Sequence, residues 1–160
     1  MKEIREQIKW KPLLISVAIS LGTGVVSALI TMGSMGKYKD MYKPPLAPPG
    51  WVFPVVWTIL YVLMGIAAYL VYETDSEAKK QALALYTSQL FVNAVWPILF
   101  FNFNAYLLAF AWLLLLWYLV SCTVREFYSI RPAAGWLMVP YLVWVTFAAY
   151  LNLAIAVYYA

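Results

Sequence analysis

The sequence has no histidine, a single cysteine (Cys122), and only 11% charged residues, against about 25% in a soluble domain. Without imidazole or paired thiolates, one chain offers no disulfide framework and no zinc or imidazole-ligated haem site. From Gln81 to Val124 no side chain carries a charge, and charges elsewhere cluster at the ends of apolar runs. Channels, proton pumps and voltage sensors need charges inside the membrane or a ring of filter carbonyls, and neither is legible. There is no inverted repeat of the kind secondary transporters use. Acid, base and activated-nucleophile pairs are also missing from the apolar runs, so hydrolytic or group-transfer catalysis has no visible machinery.

What is present is apolar and aromatic: 65% of the chain is hydrophobic, with 8 Trp, 13 Tyr and 8 Phe. A composition like this reads as an all-α integral membrane protein, one domain of five transmembrane helices over residues 1–160. The spans are expected at about 12–36, 51–72, 81–101, 105–127 and 133–158. The uncharged run 81–124 is too long for one helix and breaks at Asn102, Phe103 and Asn104, the polar cluster able to turn the chain at the interface. Arg125 and Glu126 mark the end of the fourth span, and Pro140 is a candidate kink in the fifth.

Five spans put the termini on opposite sides. Lys2, Arg5, Lys9, Lys11, Lys79, Lys80, Arg125 and Arg131 fall on the N-terminal side, and Lys37, Lys39 and Lys43 on the other. The imbalance places the N-terminus in the cytoplasm of a bacterial plasma membrane and the 37–50 loop outside. The opening MKEIREQIKWKP reads as a retained cytoplasmic extension rather than a signal peptide. The net charge of +4 therefore reports topology, not nucleic-acid binding.

The stretch KPPLAPPGWVFPVVWTILYVLMG organises the rest. Pro44, Pro45, Pro48 and Pro49 exclude helix and sheet and predict a stiff, extended loop. It feeds a helix carrying Trp51, Phe53, Trp57 and Tyr61, the last two on one face. Gln89, Asn93 and Trp96 share a face of the third span, and Trp144, Ala148 and Asn152 one of the fifth. Carboxamides are costly against lipid, so Gln89, Asn93 and Asn152 should point inward, either as interhelical hydrogen-bonding groups or as anchors in a mostly apolar ligand cavity. Gly22, Gly24, Ser27 and Ala28 on the first span and Ala82, Ala84 and Ala94 on the third are small residues suited to close packing or a dimer face.

Three segments, the proline stretch, YTSQLFVNAVWPILFF (86–101) and VPYLVWVTFAAYLN (139–152), closely resemble the translocator protein family, whose members include the peripheral benzodiazepine receptors and bacterial tryptophan-rich sensory proteins. The resemblance implies a five-helix bundle, often a homodimer in the lipid bilayer, with a cavity closed by the first loop. It implies porphyrin ligands such as protoporphyrin IX and haem, with sterols in animal members and synthetic isoquinoline and benzodiazepine drugs, and no required cofactor. Carried over by motif, the ligand-binding residues are Trp51, Trp57, Tyr61, Gln89, Asn93, Trp96, Trp144 and Ala148. Some bacterial relatives degrade protoporphyrin IX in light through two tryptophans, matched by Trp57 and Trp144, so a photo-oxidative enzyme is the alternative to a receptor or transfer protein. Two features depart from the family: Tyr150, Tyr158 and Tyr159 lack the following basic residue of the animal sterol motif, and Leu107 and Leu108 stand where many members place another pocket tryptophan.

Overall fold

In lipid every backbone polar group must find its partner within the chain, so the uncharged runs become helices. The computed structural model describes residues 7–160, and Lys2 and Arg5 lie outside the described residues. Five helices are long and apolar enough to cross a membrane: α1 (Trp10–Thr31), α2 (Val52–Glu73), α3 (Lys79–Pro97), α4 (Tyr106–Ile130) and α5 (Pro132–Tyr158), the third crossing being completed by a π-helical stretch Ile98–Asn102. At 1.5 Å per residue, the 22 residues of α1 or α2 extend roughly 33 Å, enough for the hydrocarbon core.

The boundaries differ from the expected ones where punctuation is weak. The first helix starts at Trp10 and stops at Thr31, and Met35–Asp40 forms a separate 3₁₀ helix instead of a last turn. The fourth helix continues past Arg125 and Glu126 to Ile130, because nothing before Pro132 forbids it. Pro132 occupies the first turn of α5, where its missing N–H costs nothing, and α5 continues through Pro140. Pro97 closes α3, and the wider π turn leads to Asn104, whose positive φ of 50° suits an asparagine at the corner.

The proline loop is not extended throughout, as the residue types had predicted. The Ala47 N–H donates to the Pro44 carbonyl at 3.1 Å, and Leu46 sits at φ 72°, so the block folds back in a tight turn. Pro45 supplies the fixed φ that such a turn wants at its second position, and Leu46 takes the left-handed third position.

Neighbouring helices run round the bundle in the order α1, α2, α5, α4, α3 and back to α1. The core between α2, α3, α4 and α5 contains fully buried Met64, Val71, Leu113, Leu116, Val120, Phe127, Met138 and Val145. Toward the N-terminal side α1 and α2 are clamped. Ser16 Oγ donates to the Gly65 carbonyl and Ser20 Oγ to the Tyr61 carbonyl, both at 2.7 Å. A Cβ at Gly65 would stand 2.6 Å from Val17 Cα, so glycine is what lets the two backbones meet. At the end of this seam the Lys9 ammonium pairs with Glu73 at 3.0 Å, and that hydrogen bond raises its pKa.

The small-residue stripe of α1 is divided between close helix packing and the lining of a cavity. Nothing lies within 4 Å of a Cβ built at Gly22, whereas one at Gly24 would run into the Tyr61 ring of α2, and Ser27 Oγ donates to the Ala94 carbonyl of α3 at 3.0 Å; Gly24, Ser27 and Ala28 also line a cavity. On α3, Ala82 is wholly buried within the single chain and offers no outer face to a second copy, while Ala84 is exposed.

Candidate functional site: an intramembrane aromatic cavity

Toward the loop end the helices part around a cavity of about 490 Å³. One wall is α1, through Leu21, Gly24, Ser27, Ala28 and Thr31; α2 adds Phe53, Trp57 and Tyr61, and α5 adds Ala148, Leu151, Asn152 and Ile155. From α3 and its π turn come Asn93, Trp96, Phe100 and Phe101, and the lid is the 36–50 segment with Tyr38, Lys39, Pro44 and Ala47. The lining is mostly apolar with few polar groups, which suits a hydrophobic ligand that is oriented by a handful of hydrogen bonds.

The floor is a buried chain of neutral polar groups. The Tyr61 hydroxyl donates to Asn93 Oδ1 at 2.9 Å, Asn93 Nδ2 donates to the Tyr141 oxygen at 2.6 Å, and the Tyr141 hydroxyl donates to Gln89 Oε1 at 2.8 Å. The four side chains form one continuous hydrogen-bonded chain that holds the Asn93 carboxamide between Tyr61 and Tyr141. Higher up, Trp96 Nε1 donates to Asn152 Oδ1 at 2.9 Å, while Asn152 Nδ2 donates to the Tyr106 carbonyl at 2.9 Å. These bonds fix the indole plane of Trp96 against the wall.

Of the residues carried over from the family motifs, Trp57, Tyr61, Asn93, Trp96 and Ala148 line the cavity. Trp51, Gln89 and Trp144 do not. Trp51 precedes α2 at its N-cap and is 69% exposed, an interfacial tryptophan outside the cavity. Gln89 is wholly buried one turn behind Asn93 and acts through Tyr141. Trp144 packs edge-on against Phe53 (5.8 Å) and Trp57 (6.5 Å), so the two tryptophans touch each other and leave no slot between them for a flat ligand. Its Nε1 is buried without a hydrogen-bond acceptor. Leu107 and Leu108 lie away from this cavity, in a shallower groove beside the end of α5.

Sequence reasoning missed several lining residues. Leu151 and Ile155 continue the Ala148 stripe by three and seven residues, and Thr31 continues the Gly24–Ser27–Ala28 stripe, so helical periodicity could have found them. Phe100 likewise continues the Asn93–Trp96 stripe by seven residues, whereas Tyr38 had no such signal, because it comes from the loop segment.

The lid is tied down by aromatic side chains. Tyr38 donates to the Pro48 carbonyl at 2.7 Å and meets Phe53 edge-to-face at 5.2 Å; partial burial raises its pKa, keeping the hydroxyl a neutral donor. Tyr42 stacks on Tyr158 with centroids 3.9 Å apart, and its N–H donates to the Tyr159 hydroxyl oxygen at 3.0 Å. The Tyr150 hydroxyl donates to the Pro45 carbonyl at 2.8 Å. The start of the proline block is thus latched to the C-terminal half of α5 and the residue after it, and its far end to Tyr38.

The model of the TspO/MBR family matches residues 15–158, covering every helix that forms the cavity. The chain belongs to the TspO/MBR family. It is similar to the tryptophan-rich sensory protein of Cereibacter sphaeroides, 42% identical over 115 residues, 72% of each chain. It is also similar to the translocator protein of Homo sapiens, 35% identical over 147 residues, or 89% of this chain and 87% of that one. The tryptophan-rich protein TspO of Chlorobaculum tepidum is 34% identical over 146 residues, covering 89% and 92%. This TspO/MBR chain is accordingly an integral membrane protein, with its five apolar helices placed as the family resemblance implied.

Proposed function

We propose that the protein binds porphyrins, such as protoporphyrin IX or haem, in the intramembrane cavity, for sensing or for transfer across the membrane. The observation that carries the reading is the cavity itself: about 490 Å³, within the roughly 300–1,000 Å³ of small-molecule sites, walled by aromatic rings and floored by the hydrogen-bonded Asn93 carboxamide. A flat ring would lie along the cavity face of Trp57 and under Trp96, with Tyr61 and Asn93 meeting its polar atoms. Relatives named for sensing and for translocation support the same reading. The N-terminus faces the cytoplasm and the lid faces outward, in keeping with the basic residues gathered on the N-terminal side.

The test is a dark titration with protoporphyrin IX, following the porphyrin absorbance band, in wild type and in Trp57→Phe/Trp144→Phe. Saturable binding that weakens at least tenfold in the double variant, about 1.4 kcal/mol, supports an aromatic seat for the ligand. Equal binding by both proteins, or none by either, refutes it.

One observation favours a second reading, light- and oxygen-dependent porphyrin degradation: Trp57 lines the cavity and is in edge contact with Trp144, so an oxidisable pair of rings adjoins the ligand space. In that case the porphyrin is the chromophore, dioxygen is the oxidant, and the cavity supplies position. A single defined product under light and oxygen supports the enzyme; unselective bleaching supports the binding protein.

A further inference from the structure

Three lysines lie in the segment over the mouth of the cavity, and their surroundings differ. Lys37 Nζ is 3.4 Å from the Phe101 carbonyl oxygen and 3.5 Å from Asn104 Oδ1, tying the segment to the corner between α3 and α4. Lys43 Nζ donates to the Lys39 carbonyl at 3.0 Å and stands 5.0 Å over the Tyr38 ring. Lys39 is the lysine that lines the cavity, and among the described residues no hydrogen bond or ion pair engages its ammonium. Asp40 follows it in sequence but neither lines the cavity nor pairs with it.

We propose that Lys39 is a specificity-determining residue: its ammonium pairs with a carboxylate of the bound ligand at the mouth, so the site selects flat apolar acids over neutral molecules of the same shape. The proposal rests on the porphyrin-binding function and adds the charge and orientation of the ligand to it. Among the described residues every other polar group on the lining is neutral, so Lys39 is the one formal charge they bring to the ligand there. Tyr61 lies nine residues into α2 from Val52, roughly 14 Å along the helix axis at 1.5 Å per residue. The cavity thus has a neutral hydrogen-bonding floor, an apolar middle and a cationic mouth. A ligand matching that sequence carries its acid groups outward, toward the lid, with its ring between the aromatic walls. Charge-assisted hydrogen bonds are the stronger kind, and an ammonium with no protein partner is free to make one with a ligand acid.

The experiment measures dissociation constants in the dark for protoporphyrin IX and for its neutral dimethyl ester, in nanodiscs of uncharged lipid. The proteins are wild type, Lys39→Gln, Lys39→Glu and Lys43→Gln. Lys39→Gln is expected to weaken the diacid about five- to tenfold and the diester less than twofold, with Lys39→Glu weakening the diacid further. Raising the salt concentration narrows the gap between wild type and Lys39→Gln for the diacid. An unchanged diacid constant in Lys39→Gln, with wild type binding both ligands, overturns the role of Lys39 and leaves the cavity function standing. The same loss in Lys43→Gln as in Lys39→Gln also overturns it, because the effect would then belong to the net charge of the lid. If wild type binds neither compound, the porphyrin function fails and this proposal fails with it.

Discussion

Replacing Tyr141 with phenylalanine tests whether the floor of the cavity is a connected unit. The ring is 1% exposed, and phenylalanine keeps its packing, so the change deletes only the hydroxyl. That hydroxyl accepts from Asn93 at 2.6 Å and donates to Gln89 at 2.8 Å, and both amides are buried, at 3% and 0% exposure. Two interhelical bonds, linking α5 to two positions on α3, are lost together. Membrane-buried hydrogen bonds average about 0.6 kcal/mol and reach about 1.7 kcal/mol, so Tyr141→Phe should cost about 1–3 kcal/mol. Tyr61→Phe removes a single bond to the same carboxamide and should cost about half as much. The double variant should cost less than the sum, because Asn93 is already released by either change. The assay is reversible unfolding by SDS in mixed micelles, followed by far-ultraviolet circular dichroism. Tyr118→Phe, on a side chain 62% exposed, serves as a control expected within about 0.5 kcal/mol of wild type. A Tyr141→Phe protein as stable as that control would refute the connected floor.

Two further changes probe the seam and the lid. Gly65→Ala puts a methyl group 2.6 Å from Val17 Cα, where backbone cannot yield, and should destabilise the protein by about 1–3 kcal/mol in the same assay, while Gly22→Ala, with open space around it, should not. Tyr158→Ala removes the ring stacked on Tyr42 and with it about 0.5–1.5 kcal/mol of latch; porphyrin release, measured by stopped-flow displacement, should quicken about two- to tenfold with little change in unfolding.

Much of the fold was legible because lipid allows so few alternatives. An uncharged run had to be a helix, and Asn102 and Asn104 were the polar residues able to break the longest one. The end of α1 was not legible: Met32, Gly33 and Ser34 are as compatible with a helix as with the turn they form, and no charge intervenes. In the site, the faces holding Trp57 and Tyr61, and Asn93 and Trp96, followed from helical spacing. That Trp51 lies outside and Trp144 behind Trp57 did not, since periodicity places a residue on a face but does not say which neighbour occupies the space in front of it. Tyr141 stands a turn before Trp144 on the stripe of the fifth span, but only three-dimensional packing shows that its hydroxyl is buried between Asn93 and Gln89. The Tyr42–Tyr158 stack joins residues from opposite ends of the chain, a pairing with no local signature.

The seam at Ser16, Ser20 and Gly65 makes α1 a cantilever. One half is fixed by backbone contact with α2; the other half stands over the cavity, held by the hydrogen bonds from Ser27 Oγ to the Ala94 carbonyl and from Asn102 Nδ2 to the Ile30 carbonyl. A load placed in the cavity cannot bend the fixed half, because glycine-mediated contact leaves no slack there. It would bear on the free half, which leads through the turn at 32–34 into the 3₁₀ helix that carries Lys37 and Lys39. Filling that space would therefore be felt first at the charged segment on the surface, not at the seam.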